Sequence, residues 1–369
     1  MSRQEQLEWL WLAGVLGFGA EHSGELLALY GDAAEVYRAR FSEDFSGLLQ
    51  PAQLVRLHDE AVGPQQYASV LRRCEAKNIR VLCLHDPEYP AGIAALPNAP
   101  PVLYCTGNVE VLNRGPFLGM VGSRTPSAYG VQAARLLGGP LAAEGAVIVS
   151  GLADGLDGEV HKAALDQNGV TVGVLGCAID KTYPATHTVM RRRMEDKGAV
   201  LSEYGPGTRS YPSFFLQRNR LIAGLSDVLC VLEARQKSGT MSTVHHAQRY
   251  GRPVYAVPGS VFSPISEGTN HLLAEGAARP ALSAQDLREA LGLSGPEAMQ
   301  QKQPPKPIAP VEDPMQRQLL DALLQGPLSL EELCARTGQP IGAVLAALTG
   351  LELTGAVQAL AGGRYQARC

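Results

Sequence analysis

The chain has 369 residues, 45% apolar and 18% charged, which is enough material for a buried core spread over two or three domains. A net charge of −4 excludes a chain that grips polyanions through bulk charge, so any basic footprint must be local. Seven cysteines, none spaced Cys-x-x-Cys, argue against a disulfide framework or a zinc site. Residues 1–75 read as short helices, with apolar side chains three and four positions apart. Leu10 to Gly19 is apolar, but Glu5 and Glu8 precede it and Arg3 is the one basic side chain there, unlike a secretory signal. No stretch approaches the roughly 18 apolar residues of a membrane span, and a cytoplasmic protein is expected. Gly17-Phe18-Gly19 looks like the turn of a helix-hairpin-helix or SAM-like module. Glu21, His22 and Glu25 surround that turn without a Lys or Arg, so a packing role is expected of it.

Residues 76–114, rich in proline, read as a connector. From 115 to 290, strands at 117–122, 146–151, 170–176, 199–203, 227–234 and 253–259 alternate with helices at 128–143, 157–168, 186–197, about 218–225 and 240–250. This predicts an α/β, Rossmann-like parallel sheet with right-handed crossovers. Residues 291–313 are Pro- and Gln-rich and read as a linker. Residues 314–369 read helix, turn, helix, then short strands, a winged-helix-like domain.

In an open parallel sheet, ligands bind beyond the carboxyl ends of the strands. The first such loop is Gly122-Ser123-Arg124-Thr125-Pro126-Ser127, which leads into a helix. Glycine admits a ligand close to the backbone, free amides at the helix start attract an anion, and Arg124 adds a forked cation. A plain tight turn is the other reading. The second loop opens with Ser150-Gly151 and continues to Asp154, Asp157 and His161, which are expected to bond their own loop. Ser238-Gly239-Thr240 opens a helix and suits a phosphate cradle, or simply an N-cap. Between 181 and 225, eight Lys and Arg face three acids, a local excess of +5 and a candidate backbone track. Within it, Phe214-Phe215-Leu216-Gln217-Arg218-Asn219-Arg220 joins rings, guanidiniums and an amide, the mix that unpaired nucleic acid needs. A core Phe pair beside structural arginines is the alternative. The chain lacks a Walker A sequence and a Gly-x-Ser-x-Gly elbow, and His245-His246 has no further ligand at helical spacing. Neither a metal nor a cofactor is expected.

The series GMVGSRTPSAYG, SGLADGLDGEVHKAAL, TVGVLGCAIDKTYP, LSEYGPG, FLQRNRLIAGLSDVLCVLEARQKSGTMSTVHHAQRYGRPVYAVPG and EGTNHLLAEGA resembles the DprA/Smf (DNA-processing protein A) family over about 100–280. The resemblance implies a homodimeric recombination mediator that binds incoming single-stranded DNA and loads RecA during natural transformation, without catalysis. Carried over by position, Arg124 should bind phosphate, and Phe215, Arg218, Asn219 and Arg220 should line the strand's path. Gly122, Ser123, Ser150, Gly151, Ser238, Gly239 and Thr240 should complete the pocket. Two positions depart from the family pattern: Leu216 stands where Pro is common, and Met241-Ser242-Thr243-Val244 where Leu-Ile-Thr-Ala is frequent. The same core also resembles phosphoribohydrolases of the lysine-decarboxylase-like group, whose Pro-Gly-Gly-x-Gly-Thr loop is here Lys237-Ser238-Gly239-Thr240. An enzyme of that kind is the alternative, and a nucleotide-sensing transcription regulator a third. In the C-terminal domain PIGAVLAALTGLEL carries no Lys or Arg, so that domain is expected to contact protein or to grip DNA weakly.

Overall fold

A computed structural model describes residues 1–19, 22–293, 313–324, 326–354, 356–360 and 363–367. The stretch read as a linker falls mostly on 294–312, outside the described residues, as does Glu21. The chain divides into two units, Met1–Gly295 and Pro296–Cys369.

In the first unit, α1 (Arg3–Leu16), α2 (Ser23–Tyr30), α3 (Ala33–Ala39), α4 (Pro51–Leu57) and α5 (Ala68–Ala76) enclose Leu10, Trp11, Leu26, Val36, Phe45 and Leu57. Trp11 anchors this core, and its indole donates to Val62 O at 3.2 Å.

A nine-stranded sheet follows: β1 (Arg80–Cys83), β2 (Val102–Gly107), β3 (Phe117–Val121), β4 (Val147–Ser150), β5 (Thr171–Leu175), β6 (Ala199–Ser202), β7 (Val228–Val231), β8 (Val254–Ala256) and β9 (Arg279–Pro280). The order is β1-β2-β6-β5-β4-β3-β7-β8-β9. From β6 through β9 all pairs are parallel, whereas β1 and β2 run antiparallel at one edge. The segment read as a connector therefore supplies two strands, and the sheet is mixed.

The core helices are α6 (Ala91–Ala94), α7 (Ala128–Ala143), α8 (Leu156–Asp166), α9 (Thr188–Lys197), α10 (Pro212–Leu225), α11 (Gly239–Arg249), α12 (Glu267–Ala274) and α13 (Ala284–Ala290). Alternation along the strands decides which helices each face meets. Leu118, Met120 and Ile148 pack with α7 and α8 through Leu137, Leu141 and Val160. Val121, Val149, Val174 and Val231 pack with Leu221 and Ile222 of α10 and Val244 of α11. Both faces are covered, so the strands are apolar on both sides. Helix α10 begins six residues before the expected 218, because Pro212 stands at its first turn, where a missing N–H costs nothing.

The second unit holds α14 (Pro314–Leu323), α15 (Leu330–Thr337) and α16 (Ile341–Leu353) with antiparallel β10 (Leu328–Ser329), β11 (Val357–Leu360) and β12 (Arg364–Ala367) in the order β10-β12-β11. Leu319, Leu333, Val344 and Leu348 form its core. The six cysteines among the described residues are unpaired, and the described residues hold no cluster suited to a metal ion. No helix among them is long and apolar enough to cross a membrane.

Candidate functional site

The chain steps outward from β3 to β4, β5 and β6, then returns to place β7 on the other side of β3. That reversal makes β3/β7 the switch point, where the loops leaving the two strands diverge and open a crevice. A cleft of about 750 Å³ lies there, with Gly122, Ser123 and Arg124 after β3 on one wall and Ser238, Gly239 and Thr240 at the start of α11 on another.

Arg124 is exposed, and its guanidinium carbon sits 5.6 Å from the centroid of the Phe215 ring. Phe215 and Tyr183 lie with ring centroids 5.2 Å apart, so the mouth carries two rings and a cation. Lys181 and Arg235 also line it.

Arg218 forms the floor at 3% exposure. Its Nη1 donates to Gly151 O at 2.6 Å and to Val174 O, and Nε donates to Asn219 Oδ1 at 3.2 Å. Burial pushes its guanidinium below the ordinary range, and neighbouring Asp157 opposes that shift. Burial likewise raises the Asp157 carboxyl against the pull of Arg218, and Asp157 Oδ2 accepts from the Gly151 amide at 3.1 Å. Gly151 is required between them, since a Cβ there would fall 2.5 Å from Asp157 Oδ2 and 2.6 Å from Arg218 Nη2. Gly155 adopts φ +80°, and its missing side chain leaves room for Ser123 O and the Arg124 backbone. Asn219 ties the floor to the α11 wall, with Nδ2 donating to Gly239 O at 3.1 Å.

Two helix starts face this region and differ. At α7 the N-cap Ser127 bonds Gly130 N at 3.1 Å, and the buried Glu233 carboxylate accepts from Ser127 N at 3.0 Å and from Ser127 Oγ. The helix start after Arg124, expected to attract an anion, is thus already neutralised by a carboxylate of the chain itself. At α11 the Ser238 side chain makes no capping bond, and its Oγ is buried without a partner among the described residues. Thr240 Oγ1 donates to Gly122 O at 3.1 Å instead of capping. The helix start left without a capping side chain is therefore that of α11.

The remaining expected residues are placed differently. Arg220, 2% exposed, is away from the cleft and pairs with buried Glu203, Nη2 to Oε1 2.8 Å. It cannot line a strand's path without uncovering that pair. Ser150 is fully buried and donates to Met120 O at 2.6 Å, so it and Gly151 shape the cleft from behind. The basic run also divides. Arg191 is buried and holds Lys181 O and Ile179 O at 2.7 Å, and Arg193 pairs with Asp166 at 3.2 Å. Phe214 is core, stacked on Tyr204 at 4.1 Å, and Phe215 alone of the pair reaches the cleft. The hairpin turn is a packing element, since Gly19 N donates to Glu203 Oε1 at 3.0 Å and Phe18 lies 5.1 Å from Phe214. Sequence reasoning passed over Tyr183, Tyr211 and Arg235 as site residues. Arg235 follows β7 by four positions, so reading every residue after each strand would have found it.

Comparison with known proteins places these features in a family. The family model for DNA recombination-mediator protein A matches residues 80–292, and that for the DprA winged helix domain matches 303–363. The DNA processing protein DprA of Bacillus subtilis is 36% identical over 222 residues, covering 60% of this chain and 74% of its own. Protein Smf of Synechocystis is 33% identical over 329 residues, covering 81% and 82%. The X-ray structure of DprA from Streptococcus pneumoniae superposes with TM-score 0.64 at 30% identity, over 76% of this chain and 97% of that one. DprA from Helicobacter pylori, described for its single-stranded DNA binding mode, superposes with TM-score 0.53 at 33% identity, over 58% and 95%. The chain belongs to the DNA recombination-mediator protein A (DprA/Smf) family, with a Rossmann-like α/β core and a C-terminal winged helix domain.

Proposed function

We propose that this protein binds single-stranded DNA in the cleft at the β3/β7 switch point and serves as a recombination mediator without breaking a bond. The observation that carries the reading is the pairing of exposed Arg124 with the Phe215 ring above a fixed Arg218 floor. Phosphate is met by Arg124, Lys181, Arg235 and the open start of α11, and bases stack on Phe215 and Tyr183. The Helicobacter pylori relative, whose structure is described for binding single-stranded DNA, supports the same ligand here.

Asp157 is the acid that lines the cleft among the described residues, and its carboxylate is engaged by the Gly151 amide. Glu233 is engaged by Ser127. This supports a binding role over the nucleotide-hydrolysing alternative, which needs a free acid beside the nucleotide. In the cytoplasm the protein works as a homodimer that hands the strand to RecA. Val261 and Phe262, 80% and 92% exposed on one loop, support a protein contact of this kind.

The test is a fluorescence titration of single-stranded DNA across salt on the wild type and on Arg124→Ala. A log–log slope of about −0.7 per phosphate is expected, with one contact fewer in the variant. Equal affinity and equal slope in both would remove Arg124 from the interface. Free base released from nucleoside monophosphates at useful rates would favour the enzyme.

A further inference from the structure

A second cleft of about 700 Å³ lies between the N-terminal helices and the sheet. Arg56 of α4 and Arg73 of α5 stand at its rim, and Tyr67, Tyr104, Phe18 and Glu203 line it. Several of these polar groups are unspent. Arg73 and the hydroxyls of Tyr67 and Tyr104 make no hydrogen bond or ion pair among the described residues. Glu203 is 6% exposed, and its Oε2 is buried without a partner. Unpaired polar groups gathered in one apolar-walled crevice point to a ligand that supplies their partners.

The second cleft is joined to the first. Glu203 and residues 205–208 border the second, and Ser210, Tyr211 and Pro212 just beyond them border the first. Rings bridge the two. Phe18, in the second cleft, lies 5.1 Å from Phe214, which lies 5.4 Å from Tyr211 in the first. Arg209 sits over Tyr211 at 5.5 Å, putting a cation on the ridge between them.

We infer that the second cleft is a nucleotide subsite. One base enters between the helical module and the sheet, and its phosphate rests on Arg73 and Arg56. The base's N–H groups face Tyr67, Tyr104 and Glu203, which accept from them, and the Phe18 ring offers a stacking face. The nucleotide is either the next unit of a strand leaving the first cleft or a free mononucleotide. The strand form rests on the reading of the first cleft given above, whereas the free form stands without it.

The experiment uses the full chain at one salt concentration. Labelled oligodeoxynucleotides of about 4 to about 16 nucleotides are titrated against wild type, Arg73→Ala and Arg124→Ala, with deoxyadenosine 5′-monophosphate as a separate probe followed by calorimetry. Arg73 is exposed and unpartnered, so its replacement leaves the fold intact, which a melting curve checks. For a strand unit, Arg73→Ala leaves the shortest oligonucleotides unaffected and weakens the longest by about tenfold, the scale of one lost charge-assisted contact. For a free nucleotide, the monophosphate binds wild type and Arg124→Ala but not Arg73→Ala, and oligonucleotide affinities do not change in Arg73→Ala. The inference is overturned if Arg73→Ala binds both probes as wild type does, or weakens every length equally. Failure of the first-cleft reading shows separately, as an Arg124→Ala protein that binds every length normally.

Discussion

Replacing Arg220 by Ala separates a buried structural arginine from a DNA-binding one. Arg220 and Glu203 are 2% and 6% exposed, with Nη2 and Oε1 2.8 Å apart. Glu203 Oε1 also accepts from Gly19 N at 3.0 Å, so the carboxylate fastens the N-terminal turn to the core. Truncating Arg220 strands that carboxylate in a low-dielectric site. Breaking a buried pair from one side costs about 3–5 kcal/mol, a large part of the roughly 5–15 kcal/mol that holds a domain together. For a unit of this size the melting midpoint should fall by roughly 10 °C. The assay is thermal unfolding by circular dichroism, paired with a strand titration well below the midpoint. Expected is a lower midpoint with near-wild-type affinity in the folded protein. Replacing both partners, Arg220→Leu with Glu203→Leu, should recover much of the loss, less about 1–3 kcal/mol for the Gly19 amide left unpaired. A variant that melts like wild type and binds the strand tenfold more weakly would refute the reasoning and return Arg220 to the interface.

Four further outcomes follow from the same geometry. Arg124→Ala, at an exposed site, should keep the melting midpoint and cost about 1–3 kcal/mol of strand affinity, read by titration. Arg218→Lys should lower both stability and affinity, because a point-like ammonium cannot reproduce the bonds to Gly151 O and Val174 O, and thermal melting with titration will show it. His161 is fully buried, and its Nδ1 meets a Thr171 hydroxyl that already donates to Ile148 O, so the ring is neutral with Nδ1–H donating and Nε2 bare. Burial holds its pKa down to about 3, below the unfolded value of about 6.5, so its contribution is complete above pH 6.5 and fades as pH falls. Between pH 6.5 and pH 5 that loss is about 2 kcal/mol, and urea midpoints of His161→Leu should fall less steeply over this interval than those of wild type. Finally, a chain ending at Gly295 should bind single strands nearly as well as the full chain, since α16 exposes Ile341 and Leu345 and carries no Lys or Arg; a large loss in the titration would contradict this.

The strands and helices of the core were legible because alternating apolar runs with glycine-bounded ends have few other folds open to them. The rule that ligands meet the carboxyl ends of strands then led to the loops at Gly122 and Ser238, which do line one cleft. Enclosure on all sides was not legible. All of 218–225 is buried, so α10 has no polar face to show which arginine is wet. Pairings far apart in sequence were hidden for the same reason. Glu233 caps a helix that starts 106 residues earlier, and nothing near either residue announces it. Strands β1 and β2 are four and six residues long and sit among prolines, so local pattern alone reads them as connector. Their partners are specified by the hydrophobic face they complete, which becomes visible once the sheet is assembled.

The chain carries a net charge of −4, yet Arg124, Lys181, Arg218 and Arg235 line the cleft against Asp157 alone among the described residues. Cations gathered over low-dielectric walls hold a stronger field than the same charges spread in water, so in the proposed binding mode a polyanion would be drawn to the crevice and not to the surface at large. The floor and the mouth divide the work. Arg218 is buried and held by two carbonyls at the ends of β4 and β5, whereas Arg124 is exposed with its guanidinium beside the Phe215 ring. In the proposed binding mode the first would need no ordering when a strand arrives, and the second would be the one to meet a phosphate. The rings add the discrimination. A base in a duplex has both faces stacked already, so in the proposed binding mode Phe215 and Tyr183 would gain a partner only from an unpaired strand, a gain open to every base. Under the proposed binding mode, a cleft built this way would select for strandedness and stay indifferent to sequence, as a recombination mediator requires.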